Sequence, residues 1–155
     1  MRRHCRGFTL LELMIVIVLI GVLLGMVSFA TGPSPVRQAR QEADALVRMI
    51  HLLRERAVLA GQEHGLRLSV DGYRAMRLEG RGWEPVTALY RWPENLRLRL
   101  EQDGHPVRLG ADEGPPQLLI LSSDETSAFT LTFATREATW LSLSSDGIGE
   151  PVIDG

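Results

Sequence analysis

Glu12 is the residue of this sequence whose chemistry is hardest to explain by packing alone. It interrupts a run of apolar residues that extends from Phe8 to Ala30. As a helix, this run would be about 35 Å long at about 1.5 Å per residue, which is enough to cross the hydrocarbon core of a bilayer. A carboxylate in such a segment costs about 2.5–3.5 kcal/mol, so Glu12 is a candidate functional residue whose partner has to be named.

The partner of Glu12 is expected to lie outside this apolar segment. No Lys, Arg or His occurs between Phe8 and Thr31. Cleavage of the chain after Gly7 would create an α-amino group on Phe8, four residues before the carboxylate. In a filament of staggered parallel helices, the carboxylate of one copy could pair with the amine of the next copy. We therefore predict that Glu12 acts in assembly.

Gly21 and Gly25 form a G-x-x-x-G pattern in the same segment. Small residues at this spacing let two helices approach closely, so the pair is a candidate for packing against neighbouring helices. Glycine is also common in membrane helices that have no such contact. Both interpretations stay open from the sequence.

The remaining polar residues show no arrangement that is typical of catalysis or metal binding. The histidines lack the spacing of metal ligands, and we expect the three beyond the N-terminus to be solvated: His51, His64 and His105. Two pairs of adjacent acids are expected to carry solvated loop charge rather than calcium: Asp112-Glu113 and Asp124-Glu125. No serine has a nucleophile-elbow pattern. The sequence therefore predicts no metal, no cofactor and no enzymatic activity.

Charge argues against nucleic acid as a partner. The 155 residues include 17 basic and 19 acidic ones, and every basic residue is Arg. Removal of residues 1–7 takes away the only cysteine, Cys5, and leaves 14 basic against 19 acidic residues, a net charge of −5. Nucleic-acid-binding proteins usually have a basic surface. No nucleic acid is expected, although a local basic patch could form from Arg97, Arg99 and Arg108.

The basic residues before the apolar run predict an orientation in the membrane. Arg2, Arg3 and Arg6 favour a cytoplasmic N-terminus, and the bulk of the chain would then lie outside the membrane, which in a Gram-negative cell means the periplasm. A secretory signal cut near residues 28–30 is a second interpretation, but its apolar region is normally about 7–15 residues long. A plain membrane anchor is a third, and it does not account for Glu12.

A second helix is predicted after a proline-containing linker. Pro33 and Pro35 would end or kink the first helix, with Ser34 as the N-cap and Pro35 as the first residue of the next helix. Steps of three and four residues then form an apolar stripe, and Gly61 is the expected end. The stripe comprises Val36, Ala39, Ala43, Leu46, Ile50, Leu53, Ala57 and Ala60. Charged residues, Arg54 among them, lie off this stripe, which is expected to pack onto a sheet.

From Gln62 the apolar period changes to two, which predicts β-strands. Alternation indicates strands at residues 66–70, 73–79, 83–89, 96–101, 129–133, 139–143 and 148–153. Asp71-Gly72 predicts a hairpin turn, and residues 102–116 are expected to be an exposed loop. The continuous apolar run 118–121 predicts a strand that is buried on both faces.

These elements predict an α+β protein with four segments. Residues 1–7 would be a leader peptide, and residues 8–30 a transmembrane helix. Residues 31–61 would form a linker and an amphipathic helix. Residues 62–155 would form a periplasmic antiparallel β domain.

The residues Gly7-Phe8-Thr9-Leu10-Leu11-Glu12 resemble the class III signal of type IV pilins and of type II secretion pseudopilins. The resemblance implies that a membrane aspartic peptidase cleaves the chain after Gly7 and methylates the new N-terminus at Phe8. It also implies that Glu12 sets helix registry during filament assembly, in a pilin-like fold.

The soluble part is similar to the H-type minor pseudopilins of type II secretion. The similar stretches are mostly turn and core residues, at 56–62, 65–68, 71–73, 82–83, 129–131, 140 and 146–149. Residues 32–35 depart from the family pattern, because two prolines interrupt the stem.

The resemblance implies a structural role in a periplasmic pseudopilus that helps to move folded proteins through the outer membrane. The implied partners are other major and minor pseudopilins, the prepilin peptidase and methyltransferase, the inner-membrane assembly platform and membrane lipid. The alternative is a minor pilin of a type IV pilus or of a DNA-uptake system.

Overall fold

The computed structural model of the protein describes the backbone of residues 10–29 and 34–155 and the side chains of residues 10–23 and 34–155. The leader peptide with Gly7, the residue Phe8 and the Gly32-Pro33 part of the linker lie outside the described residues. The chain forms two compact units, residues 1–34 and residues 35–155.

Within the described residues of the N-terminal unit, one helix is present, α1, at Leu10–Phe29. The described side chains of α1, from Leu10 to Leu23, are all exposed within the chain. They are apolar on every side of the helix and not along one stripe, with Glu12 as the acidic residue of the first turn. Among the described residues, no helix combines the length and the hydropathy that a membrane span requires.

The second helix, α2, spans Pro35–Ala60 and begins at the predicted residue. Its buried residues follow the predicted stripe from Ala39 to Ala57, while Val36 and Ala60 at the two ends are exposed. Gly61 ends the helix as predicted, because its φ of 59° is a left-handed conformation that glycine adopts without steric cost. The backbone N–H of Gln62 then donates to the carbonyl of Ala57 at 3.1 Å.

Sheet A contains five antiparallel strands, four that directly follow α2 and one later strand. They are β1 at His64–Leu68, β2 at Gly72–Glu79, β3 at Gly82–Pro85, β4 at Tyr90–Arg91 and β7 at Leu118–Ile120. The order is β3-β2-β1-β7, and β4 pairs with β2 beyond the end of β3. A hairpin joins β1 to β2, with Leu68 opposite Tyr73. Its turn lies one residue earlier than the predicted Asp71-Gly72, because Gly72 already belongs to β2 and its carbonyl accepts from the Ser69 N–H at 2.8 Å.

Sheet B is also antiparallel and has the order β10-β9-β8-β5-β6. Its strands are β5 at Arg97–Gln102, β6 at His105–Val107, β8 at Phe129–Ala134, β9 at Thr139–Ser145 and β10 at Val152–Asp154. Along β8, buried residues alternate with half-buried ones, as the period of two predicted.

Both sheets pack against the apolar stripe of α2. Leu46, Ile50 and Leu53 belong to the same buried cluster as Leu66 of sheet A and Phe133 of sheet B. The C-terminal unit therefore has one core shared by a helix and two sheets, and the predicted α+β architecture is confirmed.

Several predictions for residues 62–155 are wrong in detail. The strand predicted at 148–153 is one of them, because the strand begins only at Val152, after a loop. Residues 102–116 are not one loop, because Asp103 and Gly104 turn the chain with positive φ angles into β6. The strand predicted at 83–89 stops at Pro85, and pairing with β2 resumes only at Tyr90. Leu119 is 37% exposed, because β7 lies at the edge of sheet A and turns only Leu118 and Ile120 into the core.

Candidate functional site

The predicted assembly residue Glu12 lies in the first turn of α1. A carboxylate at this position is favoured by the positive end of the helix dipole. The neighbouring side chains Leu11, Leu13 and Met14 are exposed within the chain. The site therefore places one acid on an apolar helix whose surface is available to lipid or to other helices.

The predicted packing glycines lie farther along the same helix. Among the described residues, and apart from the adjacent backbone of α1 itself, no atom lies within 4 Å of the position that a Cβ atom of Gly21 would take. The flank of α1 at Gly21 is therefore open for close approach of a second helix. Gly25 also lies in α1, within the part whose side chains are not described.

In the C-terminal unit, Arg54 of α2 ties two loops together. Its Nε donates to Asp124 Oδ1 at 3.0 Å, and its Nη2 donates to the carbonyls of Asp124 and Ile148 at 2.9 and 3.1 Å. Its Nη1 donates to the carbonyl of Gly149 at 3.2 Å. The guanidinium fork is well suited to join several acceptors, because its donors lie in one plane. The β7–β8 loop and the β9–β10 loop are thus fixed to α2.

Arg54 was placed off the apolar stripe by the sequence pattern, yet it is only 9% exposed. The spacing could have indicated its burial, because Arg54 follows Ile50 by four residues and precedes Ala57 by three. A buried guanidinium requires acceptors, and the loop carbonyls that supply them are far away in sequence. The carbonyl acceptors of Arg54 could therefore not be inferred from the pattern of residues along α2.

The β9–β10 loop is also fixed by hydrogen bonds between its own residues. Asp146 Oδ1 accepts hydrogen bonds from the backbone N–H groups of Ile148 at 3.0 Å and Gly149 at 2.7 Å. These two bonds hold the pKa of Asp146 below its usual value of 3.8. Gly147 has a φ of 92°, and its N–H donates to Ser145 Oγ at 3.1 Å. The loop therefore displays Ile148 with a fixed backbone.

Two of the residues expected to be solvated are not. His64 is 5% exposed, because its position on β1 faces the core as Leu66 and Leu68 do, and its Nδ1 lies 2.9 Å from the Gln62 carbonyl oxygen. The Asp112 side chain is 17% exposed and forms ion pairs with Arg67 and Arg74. Those two arginines are directly opposite each other on β1 and β2, so the carboxylate offsets a repulsion between like charges.

The other polar residues singled out from the sequence are exposed in the structure. His51 is exposed and lies 2.8 Å from Glu150, and Asp124 is exposed although it is bound by Arg54. The predicted basic patch consists of Arg97, Arg99 and Arg108, and all three line one cleft of about 600 Å³. Glu94 and Glu101 line the same cleft. Within the described residues, no group of three or more His, Cys, Asp or Glu side chains could hold a metal ion.

The sequence and fold together define a class of protein. Residues 2–28 match the model of the prokaryotic N-terminal methylation motif. The structure resembles that of the minor pseudopilin EpsH from the type 2 secretion system of Vibrio cholerae, with a TM-score of 0.66 and 25% identity. The match covers 76% of this chain and 96% of that one. An N-terminal methylation motif ahead of this α+β fold defines a minor pseudopilin.

Relatives identify the family. Type II secretion system protein H of Pseudomonas aeruginosa is 42% identical over 167 residues, which cover 98% of this chain and 97% of that protein. The protein of the same name in Vibrio cholerae is 32% identical and covers 82% of this chain and 81% of its own length. The chain therefore belongs to the family of type II secretion system protein H. These relatives support the type II secretion interpretation over the alternative of a type IV pilus or DNA-uptake system.

A further solved structure supports the fold alone. The solution structure of GspH from Escherichia coli matches with a TM-score of 0.62 and 24% identity, over 76% of this chain and 88% of that one. The pilin-like fold class predicted from the sequence agrees with both solved structures.

Replacement of Arg54 by Lys is expected to destabilise the C-terminal unit by about 2–3 kcal/mol. Lysine keeps the positive charge but cannot reach all four acceptors, so carbonyl groups lose their donors. Urea unfolding of the full chain in detergent, followed by tryptophan fluorescence, measures the loss. Arg56→Lys, at an exposed position of the same helix, is the matched control and should change stability by less than about 0.5 kcal/mol. Equal unfolding midpoints for the two variants would contradict the role of Arg54.

The order of the β9–β10 loop is expected to depend on pH through Asp146. A lowered pKa in the folded state means that the stabilisation is present above the ordinary value of 3.8 and is lost as the pH falls through the folded-state pKa. The amide chemical shifts of Ile148 and Gly149 should therefore change with a midpoint below 3.8. Asp146→Asn keeps an acceptor oxygen and should abolish this transition. A midpoint above 3.8 in the native chain would show that the two amide bonds do not form.

Proposed function

We propose that this chain is a structural subunit of the type II secretion pseudopilus and supports the export of folded proteins across the outer membrane. The observation that carries the proposal is the N-terminal methylation motif over residues 2–28, in a chain that is 42% identical to a type II secretion system protein H along nearly its full length. A subunit of this kind acts by assembly, and the proposal therefore assigns it no catalytic activity and no cofactor.

The proposed topology follows from the charges around α1. Residues 1–7 are a leader, and residues 8–30 cross the inner membrane once. The N-terminus is cytoplasmic, because the arginines of the leader favour that side. Residues 31–61 connect the membrane helix to the periplasmic antiparallel β domain at 62–155. The exposed apolar surface of α1 supports this arrangement, because such a surface requires lipid or other helices around it.

The proposed processing and assembly roles belong to the N-terminal residues. Prepilin peptidase cleaves after Gly7, and the new N-terminus at Phe8 is methylated. Glu12 then pairs with the terminal amine of a neighbouring subunit, which offsets the cost of a carboxylate in hydrocarbon. Gly21 and Gly25 allow neighbouring helices to approach.

The proposed partners are the other major and minor pseudopilins of the filament, the prepilin peptidase and methyltransferase, the inner-membrane assembly platform and membrane lipid. Nucleic acid is not proposed as a partner. The arginines of the 600 Å³ cleft share it with two glutamates, which weakens its attraction for phosphate.

The mass of the intact protein extracted from membranes tests the processing. We expect a chain that begins at methylated Phe8, one methyl group heavier than residues 8–155. A chain that begins near Thr31 would contradict the proposal, because it would show a cleaved secretory signal and no membrane helix. A chain that still begins at Met1 in a host with an active prepilin peptidase would contradict it as well. Gly7→Leu is a matched variant that should remain uncut.

Replacement of Glu12 by Ala should leave cleavage normal and prevent incorporation into the filament. Pairing with the amine offsets part of the cost of about 3 kcal/mol for a carboxylate in hydrocarbon. Because 1.4 kcal/mol corresponds to a factor of ten, we expect Glu12→Ala to lower incorporation into the filament at least about tenfold. The measurement is the fraction of processed chain that co-sediments with sheared filaments. Leu13→Ala is the neighbouring control. Assembly of Glu12→Ala at the level of Leu13→Ala would disprove the registry role.

A further inference from the structure

One edge of β5 in sheet B is only partly covered by its neighbouring strand. On one side of β5, β8 pairs with residues 97–101, whereas on the other side β6 pairs only with residues 100–102. Among the described residues, positions 97–99 therefore have no strand partner on the β6 side. An uncovered strand edge presents backbone donors and acceptors with which an extended chain segment can pair.

The chain after β6 turns away from β5 because it is held elsewhere. Leu100 lies opposite Val107, so continued pairing would have placed Leu109 opposite Leu98. Instead, the carbonyl of Gly110 accepts a hydrogen bond from the N–H of Val70 at 3.0 Å, in the turn between β1 and β2. The diverging segment and β5 both line the cleft of about 600 Å³.

The register shows which backbone groups of β5 face this open side. Along an antiparallel strand, successive residues direct both their N–H and their carbonyl first to one neighbour and then to the other. Pro106 has no N–H and lies opposite Glu101, so Leu100 and Gln102 are the residues that bond to β6. Leu98 lies two residues before Leu100 and therefore directs its N–H and its carbonyl to the same side. An added strand can form a pair of hydrogen bonds with Leu98.

The side chains of this segment alternate between an apolar and a charged face. Leu98 is half-buried and packs against the core, whereas Arg97 and Arg99 are exposed. Val107 and Leu109 are also half-buried and line the same cleft. Directly opposite residues of two strands share a face of the sheet. An added strand would therefore place one residue beside Leu98 on the apolar face and its two neighbours beside the arginines.

Charge at the open segment favours acidic neighbours. Neither Arg97 nor Arg99 forms an ion pair with another described residue. Of the two glutamates in the cleft, Glu101 lies opposite Pro106 in the covered part of β5, and Glu94 precedes the strand. Opposite charges that face each other across two strands stabilise their pairing.

The same charges disfavour a second copy of this chain at this edge. Two β5 strands paired about Leu98 would bring Arg97 of each chain opposite Arg99 of the other, and like charges in that position repel. Charged side chains on an edge strand prevent self-association in this way. The open edge is therefore suited to a different chain that carries acidic residues.

We propose that the cleft beside β5 binds an extended segment of another protein, in which one apolar residue between two acidic residues pairs with Leu98. The segment adds a strand to sheet B, with its apolar side chain in the cleft and its acidic side chains beside Arg97 and Arg99. In contacts of this kind the main-chain hydrogen bonds give affinity and the alternate side chains give specificity. The inference goes beyond the proposed function, because the contact lies outside α1 and does not depend on cleavage or methylation.

Peptide binding to the full chain in detergent tests the contact. The probe is the fluorescent peptide Ser-Thr-Glu-Val-Glu-Thr-Ser with blocked termini, and fluorescence anisotropy reports its binding. We expect saturable binding, and at least about tenfold weaker binding when arginine replaces both glutamates, because two attractions become repulsions. If the glutamate peptide shows no saturable binding up to about 1 mM, the inference is overturned.

Charge reversal in the chain shows whether the arginines select the segment. Arg97→Glu with Arg99→Glu should reverse the preference, so that the arginine peptide binds more tightly than the glutamate peptide. Arg56→Glu with Arg81→Glu changes the net charge equally at exposed positions outside the cleft and should keep the original preference. An equal effect of the two double variants would overturn the inference, because binding would then depend on net charge alone.

Amide hydrogen exchange in the native chain distinguishes strand addition from side-chain contact. The Leu98 N–H should exchange at least about fivefold more slowly with the glutamate peptide bound, whereas Arg97 and Arg99, whose N–H groups point to β8, should change less. The same peptide with an N-methylated valine lacks one donor and should bind at least about fivefold more weakly. Unchanged exchange at Leu98 in the complex would overturn the inference. Protection of Leu98 that rises with chain concentration in the absence of peptide would also overturn it, because a second copy would then cover the edge.

The intact mass of the same chain, extracted from membranes, keeps this inference separate from the proposed function. Arg97→Glu with Arg99→Glu should still give a chain that begins at methylated Phe8, because these positions lie far from the cleavage site in sequence. A native chain that is processed but does not bind the glutamate peptide would contradict the strand addition and leave the proposed function standing.

Discussion

The C-terminal unit depends on one constraint, which is the burial of a single apolar stripe of α2 against two sheets. Sheet A and sheet B do not share a strand, and both place their apolar faces on this stripe. Burial of a Leu or Ile side chain contributes about 1.5–3 kcal/mol, so Leu46, Ile50 and Leu53 carry a large share of the stability of a unit of this size. The helix is therefore the element that brings the two sheets together.

Arg54 extends this constraint to the loops. It lies beside the stripe, where a guanidinium loses most of its water, and it donates hydrogen bonds to Asp124, Ile148 and Gly149 instead. The cost of burying a polar group is offset only if the acceptors stay in place. For this reason the β7–β8 loop and the β9–β10 loop take one conformation, and the tip of the second loop presents Ile148 to the outside.

The two units of the chain suit a protein that acts by assembly. α1 has an apolar surface with one acid, and its described side chains, from Leu10 to Leu23, are exposed within the chain. The C-terminal unit has one flank with exposed arginines and apolar residues and another flank with exposed acids around Ile148. The chain belongs to the type II secretion system protein H family, and exposed apolar and charged surfaces of this kind are what a subunit that acts by assembly requires.

The sequence by itself determined the elements and their order, because local patterns are enough for that. Steps of three and four predicted α2, Gly61 predicted its end, and the period of two predicted most strands. The motif around Gly7, Phe8 and Glu12 indicated the family, which the relatives confirm. Only the tertiary structure decided which polar residues are buried. Arg54 and Asp112 looked like surface residues, and their removal from water depends on partners far away in the chain, Asp124, Ile148 and Gly149 for Arg54 and Arg67 and Arg74 for Asp112. A local pattern describes the face on which a residue lies, whereas distant chain segments decide whether that face meets water or an ion-pair partner.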